Sequence, residues 1–502
     1  MIILSTLIKR HVLVIGTSGT DRKMESREVV IIGSGPSALR AAIASADGGA
    51  IPMMIDELGI GSASGSPPVA GLAASIDELN SKSHIEDTLA EGGELCNESS
   101  VSRTCSEGVP TLAELERWGL VLRRREGGLP HASPAPGHQV PRLTGCGDST
   151  VREVTRVLEE QAIKRGIQRN SDYLPLSIVS DNNQVRGIVT LNISTGQIEP
   201  FQTKAVILAT EGHQGLWSSP SEGSGTGLAL AISAGIELRG MESTPRHPLT
   251  IRDCGIHIPM DVLGSGGRIR RENGDDIGPD EALEGESCVL DLRGMDPEAK
   301  TWFSQTSQRI RDRLGLDISR DVIPLSPGVA YTTGGAPCDL EGRVIFKEQN
   351  DGEPSPGLWH TGLYAAGRSA HTGMHGHSPL PGNILLDDLV SGKAAGAHAA
   401  GWVPNTQFGG STQIDQAVQE ASKRISSIRD GVGVTVGNFA SKLSSAISTG
   451  VSSKEAALVE IRGMKDSGIR LTDSSSVMNT EMVEALRLHG LASVAESILN
   501  SG

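Results

Sequence analysis

One stretch, Glu28 to Glu57, constrains this chain more than any other. It opens with Val29-Val30-Ile31-Ile32, an apolar, β-branched run of the length of a buried parallel strand. Gly33-Ser34-Gly35-Pro36-Ser37-Ala38 follows as a G-x-G-x-x-A turn, and the alanine-rich run Leu39 to Ala46 predicts a helix. Ile51 to Ile55 predicts a second strand, ending at Asp56 and Glu57. Asp56 stands 23 positions after Gly33, close to the ~20 at which an acidic residue holds an adenosine ribose. Each part has a physical task. Gly33 permits the tight turn, and Gly35 lets the backbone approach a pyrophosphate. Ala38 allows close helix–strand packing, and the helix N-terminus turns N–H groups and a positive dipole end toward phosphates. The turn alone is a weak signal. Two strands, a helix and a carboxylate around it predict a dinucleotide site.

Composition narrows the class. A chain of 502 residues has room for several domains, and 37% hydrophobic with 21% charged residues describes a globular protein. A net charge of −15 and only 3% aromatic residues argue against nucleic acid, which needs cations for phosphates and rings for bases. The six cysteines include no C-x-x-C pair, so neither a disulfide scaffold nor a metal cluster is expected, and a reducing cytoplasm fits best. No apolar run approaches the ~18 residues that suggest a membrane span. Residues 1–23 carry Lys9, Arg10 and His11 between two short apolar runs, unlike a signal peptide, and are expected to be a dispensable appendage before Met24.

Along the chain, Ser83 to Leu95, Thr111 to Trp118 and Ser149 to Arg165 predict helices, the last with Val151, Val154, Val157, Leu158 and Ile163 at helical spacing. Gln184 to Thr190 and Ala205 to Thr210 predict strands, the second running into a glycine turn at Gly212. Residues 240–329 are more polar and loop-rich, and glycine turns with alanine-rich helix return after Tyr331. The expected organisation is therefore a cofactor domain at 24–239 and 330–400, an inserted substrate or capping domain at 240–329, and a helical domain at 411–502. The fold class is α/β: a Rossmann-like domain with an α+β insertion and a helical C-terminal domain.

Several segments in order resemble the flavoprotein subunit of succinate dehydrogenase and fumarate reductase, with relatives such as L-aspartate oxidase. His84 to Leu95 is similar to H-x-x-D-T-x-x-x-G-x-x-L, and Pro136-Gly137-His138 with Arg142 to G-G-H-x-x-x-R. Ala209 to Gly212 stands for A-T-G-G, Met241 to Pro248 resembles M-E-F-V-Q-F-H-P, and Ala330 to Gly335 resembles H-Y-x-M-G-G. The most specific match is Gly362 to Asp387, GLYAAGRSAHTGMHGHSPLPGNILLD, which parallels G-L-Y-A-A-G-E through G-G-N-S-L-L-D. The resemblance implies FAD, held by Gly33, Ser34, Gly35, Pro36, Ser37, Ala38, Asp56, Glu57, Thr210, Gly212, Gly367, Arg368, Gly382, Asn383, Ile384 and Leu385. It implies hydride transfer between flavin N5 and a C–C or C=C bond next to a carboxylate or carbonyl. His247, Tyr331, His375 and Arg246 are the expected active-site groups, and an iron–sulfur or other electron-transfer subunit is the expected partner, which could hold the protein at the inner face of a membrane. No metal site is expected at His371, His375 and His377, which lack a carboxylate or cysteine partner at fitting spacing.

The departures from the family fall on its chemistry. Asp275 to Cys288, where the family carries its proton-delivering arginine, contains no arginine; the neighbouring Arg268, Arg270 and Arg271 read as a solvated loop face. Ala330 replaces a substrate histidine, Pro379 a carboxylate-binding arginine, Ser265 a glutamate and Arg368 a glutamate. Ser62 to Val69 lacks the histidine that carries covalent flavin in some members, so FAD is expected to be non-covalent. These losses predict weak or absent succinate and fumarate turnover. They leave two alternatives: an amino-acid oxidase of the L-aspartate oxidase kind, and a flavin-binding subunit without turnover.

Overall fold

The structure is a computed structural model and describes residues 24–58, 68–76, 81–217, 223–284, 287–347, 354–449 and 453–501. Residues 1–23 and most of the loop Ser62 to Val69 lie outside the described residues. An eight-stranded sheet organises the rest. Its strands are β1 (Glu25–Ile32), β2 (Pro52–Ile55), β3 (Gln168–Asn170), β4 (Tyr173–Asp181), β5 (Gln184–Asn192), β6 (Gln197–Leu208), β7 (Arg343–Lys347) and β8 (Pro354–Ala365). Strands β3, β2, β1, β6 and β8 run parallel, with Val30 between Met53 and Val206. Strands β4, β5 and β6 form an antiparallel meander leaving that parallel core.

The sequence dictates this layering by alternation. Val29 and Ile31 face helices α1 (Pro36–Asp47), α3 (Thr150–Lys164) and α5 (Asn383–Trp402), whereas Val30 and Ile32 face the opposite layer with α4 (Thr226–Ser233). Both faces are covered, so β1 reads as a continuous apolar run rather than an alternating one. Helix α2 (Lys82–Gly92) lies in sequence between β2 and α3. Small residues bring α1 and α5 together: a Cβ on Gly396 would stand 2.1 Å from the Ala41 carbonyl oxygen, and Ser45 Oγ donates to the Gly396 carbonyl at 3.1 Å.

Beyond β6 the chain builds a separate four-stranded antiparallel sheet, ordered Asp276–Ile277, Arg268–Arg271, Cys288–Asp291 and Ile323–Leu325. Leu249, Ile258, Leu290, Phe303 and Ile310 form its own core. The C-terminal end is helical: α6 (Thr412–Arg429), α7 (Val436–Thr449), α8 (Lys454–Ser467) and α9 (Thr480–Ser501) pack around Phe439, Leu443 and Leu488. This is the α/β architecture with an inserted capping unit and a helical C-terminal unit that the sequence predicts. Strand β4 is an addition to that expectation. Pro175 interrupts its run, and a register shift between Pro175 and Ser177 shows how the sheet tolerates a residue with no N–H.

Candidate active site

The site starts at the turn between β1 and α1. Gly33 has φ of +128°, and a Cβ there would lie 2.2 Å from the Ala209 carbonyl oxygen at the end of β6. Both conditions exclude any other residue. Gly35 is different: its φ is −77°, and a Cβ there would meet nothing within 4 Å. It faces open space, which is what a backbone needs for approach by a ligand. Pro36 and Ser37 open α1, whose first turn holds no acidic residue. The cleft above this turn is also lined by Thr210, Glu211, Arg368 and Asp388. Ser37 Oγ and Asp388 Oδ2 face it buried and without a hydrogen-bond partner. An anionic group fits here, because the helix end, a hydroxyl donor and a guanidinium all converge on it.

The other predicted cofactor residues surround this cleft. Thr210 Oγ1 accepts from Gly227 N at 3.1 Å and contacts Ser369 Oγ at 3.1 Å, tying the end of β6 to α4 and to the turn after β8. A Cβ on Gly212 would strike Thr332 Oγ1 at 2.2 Å, so the tyrosine segment packs directly on the cofactor domain. Gly382 has φ of +84° and caps α5. Asn383 is fully buried, and its side chain is spent inside the protein: Oδ1 accepts from His84 Nε2 at 2.7 Å and Nδ2 donates to Thr88 Oγ1 at 2.9 Å. It therefore positions the start of α5, leaving only its backbone, with that of Ile384 and Leu385, for a ligand.

The two carboxylates after β2 part company. Asp56 accepts from Leu58 N at 2.9 Å and from Arg169 Nε at 2.7 Å; burial raises its pKa against the pull of Arg169. Glu57 accepts from Thr226 Oγ1 at 3.0 Å and pairs with Arg487 of α9. Burial raises the Glu57 pKa as well, opposed by Arg487. Adjacent residues on an extended chain point to opposite faces, and here each found its own arginine.

His247 of the capping unit and Tyr331, just after it, come together with ring centroids 6.3 Å apart in an edge arrangement, and His257 stands 5.9 Å from His247. His247 Nε2 donates to the Ile258 carbonyl at 2.7 Å, and burial pushes its pKa down to about 3. His247 is thus a neutral imidazole whose Nδ1 is the accepting nitrogen. Burial, with Glu91 nearby, pushes the Tyr331 hydroxyl above its ordinary range, so it stays protonated and can donate a hydrogen bond. His375 Nε2 lies 3.3 Å from Asp387 Oδ2, on the loop leading to α5. Arg246 corrects an expectation. Its side chain is exposed and donates to the Pro327 carbonyl at 2.9 Å, because the extended chain that turns His247 inward turns its neighbour outward. Arg268 and Arg270 both pair with Asp276, at 3.0 and 2.8 Å, and Arg271 pairs with Glu281 at 3.4 Å. No group of three or more metal-ligating side chains occurs among the described residues.

A buried polar network beside α5 joins two of the segments that carry the family resemblance, His84 to Leu95 and Pro136 to Arg142, to which the sequence assigns no site role. Arg142 Nη1 donates to Asp87 Oδ2 at 2.6 Å, with side-chain exposures of 0% and 1%. Gln139 N adds a further contact to the same oxygen at 3.0 Å, and Arg142 also meets His138 Nδ1 at 2.6 Å. The spacing of His84 and Asp87, about one helical turn, is the signal in the sequence that both serve one face of α2.

Comparison with known proteins decides the assignment. A family model described as an FAD binding domain matches residues 28–287 and 277–385. The chain belongs to this FAD binding domain family. It is 26% identical to the succinate dehydrogenase flavoprotein subunit of Rickettsia bellii, over 92% of this chain and 86% of that one. It is likewise 26% identical to the fumarate reductase flavoprotein subunit of Haemophilus influenzae, over 94% and 86%. Its fold superposes on a point variant of FrdA from E. coli quinol fumarate reductase with a TM-score of 0.86 at 23% identity, covering 95% and 89% of the two chains. The cofactor is FAD, and the chain is an FAD-dependent oxidoreductase. The open face of Gly35 and the unpartnered Ser37 hydroxyl fit the cofactor's diphosphate. No helix among the described residues is long and apolar enough to cross a membrane.

Proposed function

We propose that this protein exchanges hydride between non-covalently held FAD and a small substrate whose reacting carbons adjoin a carbonyl or carboxylate. The observation that carries the reading is the meeting of the half-buried Tyr331 with the buried His247 of the capping unit, ring centroids 6.3 Å apart, in an FAD-binding protein. Bound FAD supplies the hydride chemistry. The chain's own residues bind and orient. The Tyr331 hydroxyl, kept protonated by burial, donates a hydrogen bond to a substrate oxygen. His247 cannot act as a cation, because its Nε2–H is committed to the Ile258 carbonyl and its pKa lies near 3. It orients the substrate as an acceptor. A pocket with these neutral groups suits a carbonyl or a single carboxylate better than a dicarboxylate, which needs charge-assisted donors worth about 1.5–3 kcal/mol each. Electrons leave or arrive through an iron–sulfur or other redox subunit, a reading supported by the relatives' description as flavoprotein subunits.

The test is anaerobic reduction of the purified flavoprotein, followed by a screen of small enoates, enones and amino acids for flavin reoxidation or reduction. Turnover of an enone or monocarboxylate, lowered at least tenfold in Tyr331→Phe with FAD retained, is the expected result. Fumarate reduction at an ordinary enzymatic rate, on the order of 10 per second, would overturn it. A second reading, a flavin subunit without turnover, draws on the engagement of Arg268, Arg270 and Arg271 by Asp276 and Glu281. Failure of every substrate, with dye-mediated electron transfer intact, would favour it.

A further inference from the structure

We infer that Arg368, which lines the cleft together with the buried Asp388, is the cationic ligand for the diphosphate of FAD in this protein. The inference rests on the FAD assignment and adds the residue that neutralises the cofactor's charge. Four observations lead to it.

The first is the pair of unsatisfied atoms in the cleft. Ser37 is 4% exposed and Asp388 is 2% exposed, yet Ser37 Oγ and Asp388 Oδ2 have no hydrogen-bond partner. Burying such atoms unpaired is costly: the Ser37 hydroxyl can donate to a phosphate oxygen, whereas the Asp388 carboxyl calls for a cation beside it. The second is the local backbone. Gly367 has φ of +55°, a Cβ there would strike Asp388 Oδ1 at 2.3 Å, and its N–H donates to Ser391 Oγ at 2.8 Å. The residue that follows is therefore delivered into the cleft from a fixed point.

The third is charge. Arg368 is the basic residue among those lining the cleft, and two carboxylates, Glu211 and Asp388, line it as well. Glu211 is engaged by Ser224 Oγ at 3.0 Å. Burial raises the Asp388 carboxyl, and Arg368 is the main charge opposing that rise. A diphosphate entering between two carboxylates needs a cation beside it, and Arg368 is placed to serve. The fourth is geometry of the group itself. A guanidinium has a planar fork that can meet two phosphate oxygens while another edge faces a carboxylate. Ser37 Oγ and the first turn of α1 then complete the cradle from the other side.

The experiment uses full-length protein freed of flavin, titrated with FAD and with ADP as a probe of the diphosphate half, at low and high KCl. In Arg368→Gln, binding of FAD and ADP should weaken roughly ten- to a hundredfold. Its salt dependence should flatten, because the screened charge is gone. Adenosine, which has no phosphate, should bind both proteins alike. Wild-type affinity and wild-type salt dependence in Arg368→Gln would overturn the inference. If wild-type protein binds no FAD, the FAD assignment itself fails. Should Arg368→Gln not fold, Arg368→Lys carries the test. It keeps the charge but loses the fork, so it should bind FAD severalfold more weakly with an unchanged salt dependence. Unaltered FAD affinity in Arg368→Lys would then refute the role assigned to the fork.

Discussion

Asp87→Ala should be among the most destabilising single substitutions in this protein. Arg142 and Asp87 are both fully buried, 2.6 Å apart, and the carboxylate also accepts from Gln139 N at 3.0 Å. Removing the carboxylate strands a guanidinium in the interior, which costs about 3–5 kcal/mol. In a domain of about 150–250 residues each kcal/mol moves the melting temperature by ~2–4 °C, so a fall of about 6 °C or more is expected. The loss should reach the cofactor as well. His84, on the same helix α2, holds Asn383 at the head of α5. Thermal unfolding of the flavin-free protein at pH 7 reads the stability, and FAD titration reads the site. Asp87→Leu combined with Arg142→Met should recover much of the loss, because two packed apolar groups leave no buried charge. An Asp87→Ala protein that melts within about 2 °C of wild type, less than the shift for 1 kcal/mol, would refute this reasoning and mean that Arg142 is neutralised elsewhere.

Three further results are expected. Gly35→Val should leave the stability of the flavin-free protein nearly unchanged and abolish FAD binding, since a side chain there enters open space reserved for the ligand. Gly33→Ala should unfold more easily with or without flavin, because its Cβ meets the Ala209 carbonyl and its φ is positive; a Gly33→Ala protein as stable as wild type, or a Gly35→Val protein as unstable as Gly33→Ala, contradicts the claim made for it. Stability should also fall as pH drops from about 6.5 toward 4. Burial holds His213 and His247 at about 3 and His138, His257, His360 and His489 at about 4. Below the ordinary value of about 6.5 the unfolded chain binds protons at these sites that the folded chain refuses. Asp261, raised to about 7, Asp388, raised to about 6, and Asp56, Glu57, Glu91 and Asp148, raised by burial, act in the opposite sense, but His131, His371 and His398 are lowered as well and the histidines remain the more numerous. A melting temperature that rises as pH falls from about 6.5 to about 5 would contradict the sign.

The sequence made the cofactor turn legible because every part of it is local. Strand, glycine turn and helix lie within a few residues, and each residue type answers a backbone demand that can be read without partners. The helix at Thr150–Lys164 was legible for the same reason, through the spacing of its apolar face. The partners were not legible. Glu57 meets Arg487, and Asp56 meets Arg169, through folding that brings distant segments together. Nothing in a single chain marks which arginine a carboxylate will find. Arg246 shows a different failure: its chemistry suited an active site, but the alternation of an extended segment gave the inward position to His247.

The central claim is that the cleft above Gly33 to Ala38 holds one FAD without a covalent bond. Titrating purified, flavin-free protein with FAD, and following flavin fluorescence and absorbance, tests it most directly. Saturation at one FAD per chain, with the chromophore released into the supernatant on acid precipitation, is the predicted result. Flavin that stays with the precipitated protein would contradict the non-covalent mode, and a protein that takes up no FAD would contradict the account as a whole.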